Sequence, residues 1–149
     1  MLDDTDKKII RLLGNNAKAS LQEVAFECHL SPAAIHLRIK KLEEQKVILG
    51  ARLIIDPVKL GYQTMAFIGV YFERAGLYKS VKTELIKIPE VVECSYTTGN
   101  YSLLLKLYCR DNYHLMDILS NQIQNIPGIA RTETFICLEN SFERNLIPE

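Results

Sequence analysis

Over the first 46 positions, apolar residues recur three and four apart in three separate runs, each opened by a polar residue suited to cap a helix. Asp3 opens the first. Asp4 and Asp6 favour the positive helix end, Ile9, Ile10, Leu12 and Leu13 make an apolar face, and Gly14 is expected to end the helix in the left-handed conformation. Ser20-Leu21-Gln22-Glu23 opens the second as an S-x-x-E capping box, followed by Leu21, Val24, Ala25 and Cys28 at helical spacing. His29-Leu30 interrupt the pattern. Ser31 then serves as N-cap and Pro32 as first helical residue, where its missing N–H costs nothing. A helix, a turn of about three or four residues and a second helix is the layout of a helix-turn-helix DNA reader.

Placed at 100° per residue, Ile35, Ile39 and Leu42 form one stripe of the third helix, with Lys46 near it. The opposite side carries Ala33, Leu37, Lys40 and Glu44, flanked by Ala34, His36 and Lys41, with Arg38 on the shoulder. Small residues after the Ser31 cap suit entry into a major groove. Leu37 can touch a thymine methyl, and Arg38, Lys40 and Lys41 can reach phosphates. The same pattern is also that of a solvated amphipathic helix, since Glu43 and Glu44 dilute the positive field. Residues 47–55 are β-branched and are expected to form a wing strand, with Arg52 near the DNA backbone. Asp56-Pro57 breaks it, and 56–61 reads as a linker between a domain at 1–55 and another at 62–149.

From there the periods alternate. Strands are expected over 64–72, 91–97, 103–109 and 129–138, and helices over 77–88 and from the Asp111 cap to Ile126. The order is βαββαβ, a ferredoxin-like sandwich. Ile88-Pro89-Glu90-Val91 recurs as Ile126-Pro127-Gly128-Ile129, each at a helix-to-strand junction, as two related halves require. Helices cover one sheet face; the other needs a cover, and a second copy of the chain is expected to supply it. The fold class is therefore α+β, a winged helix-turn-helix followed by an ACT-like sandwich.

Composition refines this picture only modestly. Formal net charge is zero, but residues 1–60 hold ten Lys/Arg against eight Asp/Glu, and residues 61–149 eight against ten. The sign suits a nucleic-acid-facing first half, and its small size calls for an oligomer to sum phosphate contacts. Cys28, Cys94, Cys109 and Cys137 show no C-x-x-C spacing and read as buried, reduced thiols of a cytoplasmic protein. Cys28, His29 and His36 lack a nearby fourth ligand, so no metal is expected; His114 reads as a helix-surface residue. The acidic start lacks the apolar core of a signal peptide, and no run approaches the roughly 18 apolar residues that cross a bilayer. No Gly-rich phosphate motif and no acid, base and nucleophile constellation is present, so no enzyme or cofactor is expected.

Nearly end to end, the chain resembles the Lrp/AsnC (leucine-responsive/asparagine, feast/famine) transcription regulators. Leu2-Asp3-x-x-Asp6-x-x-Ile9-Ile10-x-x-Leu13 is similar to the family's opening helix, and residues 31–43 to its recognition helix. Val47-Ile48-Leu49-Gly50 matches the family's next segment, with Lys46 where glycine usually stands; Ile126-Pro127-Gly128-Ile129 and Arg131-Thr132-Glu133-Thr134 match its last junction. The resemblance implies dimers formed through the second domain, often assembled to octamers, and an amino-acid effector bound between dimers. It points for the effector to Thr98, Gly99, Asn100, Tyr101 and Ser102, with Thr132 and Thr134 sharing one strand face. The family's usual G-D-x-D loop is here Gly99-Asn100-Tyr101-Ser102. Neutral hydrogen bonds thus replace a carboxylate–ammonium pair, which leaves open a different effector, a backbone-dominated site or none. The expected function is sequence-specific binding of double-stranded DNA under small-molecule control. The alternatives are a metabolite-sensing module acting on a protein partner, a small ferredoxin-like enzyme, or an RNA binder.

Overall fold

The computed structural model describes residues 2–149. Their contacts divide into two compact units, residues 2–54 together with 142–149, and residues 55–141.

The first unit is a three-helix bundle of α1 (Asp4–Asn15), α2 (Leu21–Cys28) and α3 (Pro32–Glu44). Each helix starts where its side-chain cap does. Asp3 Oδ1 accepts the Asp6 N–H at 2.7 Å, and Ser31 Oγ accepts that of Ala34 at 3.2 Å. Ser20 and Glu23 close the capping box in both directions, at 3.2 and 2.6 Å. The apolar stripes meet in a small core of Ile9, Val24, Ala25, Ile35 and Leu42, with Ile39 packed at its edge. The helix-turn-helix bend is made by His29 in the left-handed region (φ 54°), after which the Leu30 N–H bonds the Ala25 carbonyl at 3.0 Å.

Three expectations for this unit are corrected. Gly14 does not end α1, which runs on to Asn15. Its carbonyl instead accepts the Asn145 amide at 3.1 Å, and Ile147 lies near enough that a Cβ at position 14 would touch it at ordinary contact distance. The last eight residues therefore belong with the helices rather than with the sandwich. The wing strand is absent. Residues 47–55 have the side chains of a strand but no ladder among the described residues, and Ile54 is 97% exposed. β-propensity expresses fit to a neighbouring strand, and this unit offers none. Lys46 lies beyond α3, exposed, in the left-handed region (φ 59°).

The second unit is the sandwich. Strands β1 (Thr64–Phe72), β2 (Val91–Tyr96), β3 (Leu103–Cys109) and β4 (Ile129–Cys137) form an antiparallel sheet in the order β2-β3-β1-β4. Helices α4 (Tyr78–Leu85) and α5 (Asn112–Asp117) cross between strands as the periods predicted. Strict alternation along β3 sends Leu103, Leu105, Leu107 and Cys109 into the core with Ala66, Ile68 and Val70 of β1. The expected long second helix is divided: after α5 the backbone widens to a π-helical turn over Ile118–Ile123. That turn lets Ile118 and Ile123, five apart, both reach the core. Cys94 is exposed, against the expectation of burial. His114 is half-buried and partnered rather than freely exposed on its helix. Its Nδ1 accepts the Arg110 N–H at 3.2 Å, and its Nε2 lies 3.5 Å from Glu90.

Candidate nucleic-acid interface and loop site

The stripe of α3 built from Ile35 and Leu42 is hidden in the bundle core, which turns the opposite side outward. Ser31, Ala33, His36, Leu37, Lys40 and Lys41 are exposed, Leu37 at 65%, and Ala34 is half-buried. An exposed leucine between a histidine and two lysines is not needed for packing. Lys40 stands 4.0 Å from Glu44 in an exposed i,i+4 pair, which holds it only weakly. Arg52 is exposed and lies 3.6 Å from Glu143.

Arg38 departs from expectation. Its Nη1 lies 2.7 Å from Asp3 Oδ2 and 2.7 Å from Asp6 Oδ1. The side chain that the helical projection offered to a phosphate is engaged within its own unit. Asp3 feels this directly: the Arg38 guanidinium, and then the Asp6 N–H, hold its carboxyl below the usual carboxylate range.

The loop between β2 and β3 presents Thr98, Gly99 and Asn100 to solvent, with Gly99 at φ 105°. Its flanks are tied down. Thr97 Oγ1 donates to the Tyr101 carbonyl at 2.7 Å, the Ser102 N–H to the Val70 carbonyl at 2.8 Å, and the Phe72 N–H to Ser102 Oγ at 3.3 Å. Tyr101 leaves the loop and lies across β1 at Gly69. A Cβ there would come 2.3 Å from its ring. Its hydroxyl donates to Glu133 at 2.6 Å, its edge meets Tyr71 at 5.3 Å, and Arg131 stacks on Tyr71 at 3.9 Å. The bond to the Glu133 carboxylate, reinforced by burial, pushes the Tyr101 phenol up to about 12.

Thr132 and Thr134 do not join this group. They pair with Val70 and Ile68, whose side chains enter the helix-covered core, and Thr132 accepts the Gln124 side-chain N–H at 3.0 Å. They share a face, as two-residue spacing requires, and it is the one opposite Tyr101. Arg131 and Glu133, on alternate positions of the same strand, reach the side where Tyr101 lies. Parity was the signal that could have found them. Among the described residues no cluster of three metal-ligating side chains occurs, and no helix is long and apolar enough to cross a membrane. Pockets of about 360 and 280 Å³ open at Gln63–Asn112 and beside Cys137, and the Gly99 loop lines neither.

The family model of the AsnC-type helix-turn-helix domain matches residues 2–43, and that of the Lrp/AsnC ligand binding domain matches residues 65–147. The chain belongs to the Lrp/AsnC family. It is 38% identical to the regulatory protein AsnC of Escherichia coli (strain K12) over 99% of this chain and 97% of that one. It is 42% identical to the HTH-type transcriptional regulator FL11 of Pyrococcus horikoshii, over 99% and 96%. The solved structure of E. coli AsnC superposes with a TM-score of 0.92, covering 99% of both chains. A feast or famine regulatory protein from M. tuberculosis complexed with L-methionine superposes at 0.92, with 28% identity and coverage of 99% and 100%. Like its Lrp/AsnC relatives, the chain is a transcriptional regulator with a helix-turn-helix DNA-binding domain. The bundle is that domain, and the sandwich is the ligand-binding domain of the family.

Proposed function

We propose that α3 reads the major groove with Ala33, Ala34, His36 and Leu37, while Lys40, Lys41 and Arg52 contact phosphates and Ser31 fixes the helix start. The observation carrying this reading is the outward side of α3, where Leu37 stands exposed between small residues and two lysines. Phosphate contacts supply affinity and base-edge contacts supply sequence preference. Each protomer offers few cations, so two or more reading helices act together. Homodimers form through the sheet face that carries no helix of its own unit, and dimers assemble to octamers. The two connected domains divide at residues 56–61. An amino acid bound at Thr98, Gly99 and Asn100, completed by a neighbouring copy, favours one assembly over another. The L-methionine complex of the M. tuberculosis relative supports that class of effector.

Fluorescence anisotropy tests the DNA reading on a 30-base-pair duplex selected by the wild-type protein from a random pool. Lys40→Ala with Lys41→Ala weakens binding to all duplexes and lowers the salt dependence by about 0.9 for each phosphate that is no longer neutralised. Leu37→Ala flattens the preference for the selected duplex by roughly ten-fold, equivalent to about 1.4 kcal/mol. Unchanged affinity and preference in both variants defeat the placement.

A further inference from the structure

Four carboxylate oxygens and one guanidinium close a ring at the start of α1. Asp3 Oδ1 accepts the Asp6 N–H at 2.7 Å, and Asp6 Oδ2 lies 3.4 Å from the Asp3 N–H, completing a reciprocal capping box. Each carboxylate then has one oxygen left. Both remaining oxygens, Asp3 Oδ2 and Asp6 Oδ1, meet the same atom, Arg38 Nη1, at 2.7 Å. No oxygen of either carboxylate is left over. Asp6 is nearly buried, its side chain 10% exposed, while that of Arg38 is 34% exposed. This arrangement is not a loose surface pair. One partner is held by helix backbone, the other rises from the middle of the reading helix, and the geometry is short and multiply bonded.

We propose that Arg38 is a positioning residue of the DNA-reading helix: it locks α3 to the capping box of α1 and sets the angle at which Leu37 and Lys40 are presented. The inference rests on α3 being the reader. The reason for the device lies in the core beneath it. Only Ile35 and Leu42 of α3 are fully buried, and they lie seven residues apart along one line. These anchors fix the helix against sliding, while Ile39, partly buried on one side of their line, resists rotation about it in one direction only. Arg38 stands between them and off their line, so its tether to α1 opposes that rotation.

The phosphate-binding and positioning roles predict opposite signs for one variant. If Arg38 served a phosphate, Asp3→Asn with Asp6→Asn would free it and remove two negative charges, raising DNA affinity and steepening the salt dependence. If Arg38 positions α3, the same variant lowers affinity. The test uses the full-length protein and the selected 30-base-pair duplex, at temperatures where circular dichroism shows every variant folded. Expected results are a roughly ten-fold affinity loss for Asp3→Asn/Asp6→Asn and for Arg38→Gln, with the logarithmic salt slope of each unchanged. A role confined to stability would lower the melting temperature and leave folded-state affinity intact. The proposal is overturned if Arg38→Gln lowers the slope by about 0.9 for each reading helix bound, the signature of a phosphate that each wild-type arginine neutralises. It is also overturned if the double variant binds DNA as well as the wild type or better. Should the double variant not fold, Arg38→Gln alone decides: an affinity loss with the slope unchanged supports positioning, and a lowered slope or an unchanged affinity overturns it. Lys40→Ala/Lys41→Ala runs alongside: if it leaves affinity and slope unchanged, the placement of α3 fails, an outcome separate from the Arg38 result.

Discussion

In the helical unit five described side chains form the buried core, whereas in the sheet unit fifteen do. The helical unit is correspondingly rich in polar joints: the reciprocal boxes at Asp3/Asp6 and Ser20/Glu23, the one-way Ser31 cap and the Arg38 tether. In the sheet unit the backbone ladder, continuous from β2 to β4, fixes register, and the core beneath it is drawn mainly from β1, β3 and the helices. Its polar side chains are left to occupy surfaces, as Tyr101, Glu133 and Arg131 do. A small core sets which elements touch but not their angles, and polar bonds supply the missing direction. A laddered sheet already has direction, so its polar groups can change without loss of the fold.

The largest effects that test this contrast come from the two cores themselves. Ile35→Ala and Leu105→Ala each remove a fully buried side chain and are expected to cost about 2–5 kcal/mol. Hydrogen exchange followed residue by residue should show Ile35→Ala losing protection across α1–α3 while β1 and β3 keep theirs. Uniform loss in both units would mean that they unfold as one, and the contrast would not hold. Next in size is Gly69→Ala. The added methyl would sit 2.3–2.7 Å from Tyr101 ring atoms, so the ring must swing off β1 and release Glu133. Overpacking of this kind costs about 1–3 kcal/mol, read by thermal melting. In the same variant the Tyr101 phenol, freed of Glu133, should titrate below the wild-type value of about 12 by NMR of the ring carbons. A titration unchanged from wild type would show that the tyrosine had not moved.

Most of the architecture was legible because local rules decided it. The caps at Asp3, Ser20, Ser31 and Asp111 all accept the amide they were expected to accept, and alternation located the span of β3. What failed was whatever depended on a partner distant in sequence. Residues 47–55 look like a strand, but a strand needs a neighbour. Gly14 looks like a helix terminator, but α1 runs on past it, and its carbonyl is taken by Asn145, far along the chain. Arg38 looks like a free cation on a helical wheel, because a wheel shows one helix and not the Asp6 of another. The loop site was half legible for a related reason. Turn chemistry and family likeness pointed to residues 98–102, while the pairing of Gly69 with Glu133 and of Tyr71 with Arg131 is a matter of register.

The smallest expected effect concerns the end of the reading helix. Lys46 adopts φ 59°, its N–H bonded to Glu43, and the Val47 N–H returns to Leu42 at 2.9 Å. This is the left-handed helix ending that glycine makes without steric cost, and the resemblance to the family places glycine here. A side chain in that conformation costs about 1–2 kcal/mol, offset in part because glycine loses more chain entropy on folding. Lys46→Gly should therefore stabilise the helical unit by about 0.5–1 kcal/mol in urea denaturation. Lys46→Ala is the control, since it discards the charge but keeps the Cβ and hence the strain. If alanine gives the same gain as glycine, the cause is crowding of positive charge with Lys40 and Lys41 rather than backbone conformation. The polar-joint view of this unit would then need a long-range electrostatic component that the short bonds at Asp3, Ser20 and Ser31 do not contain.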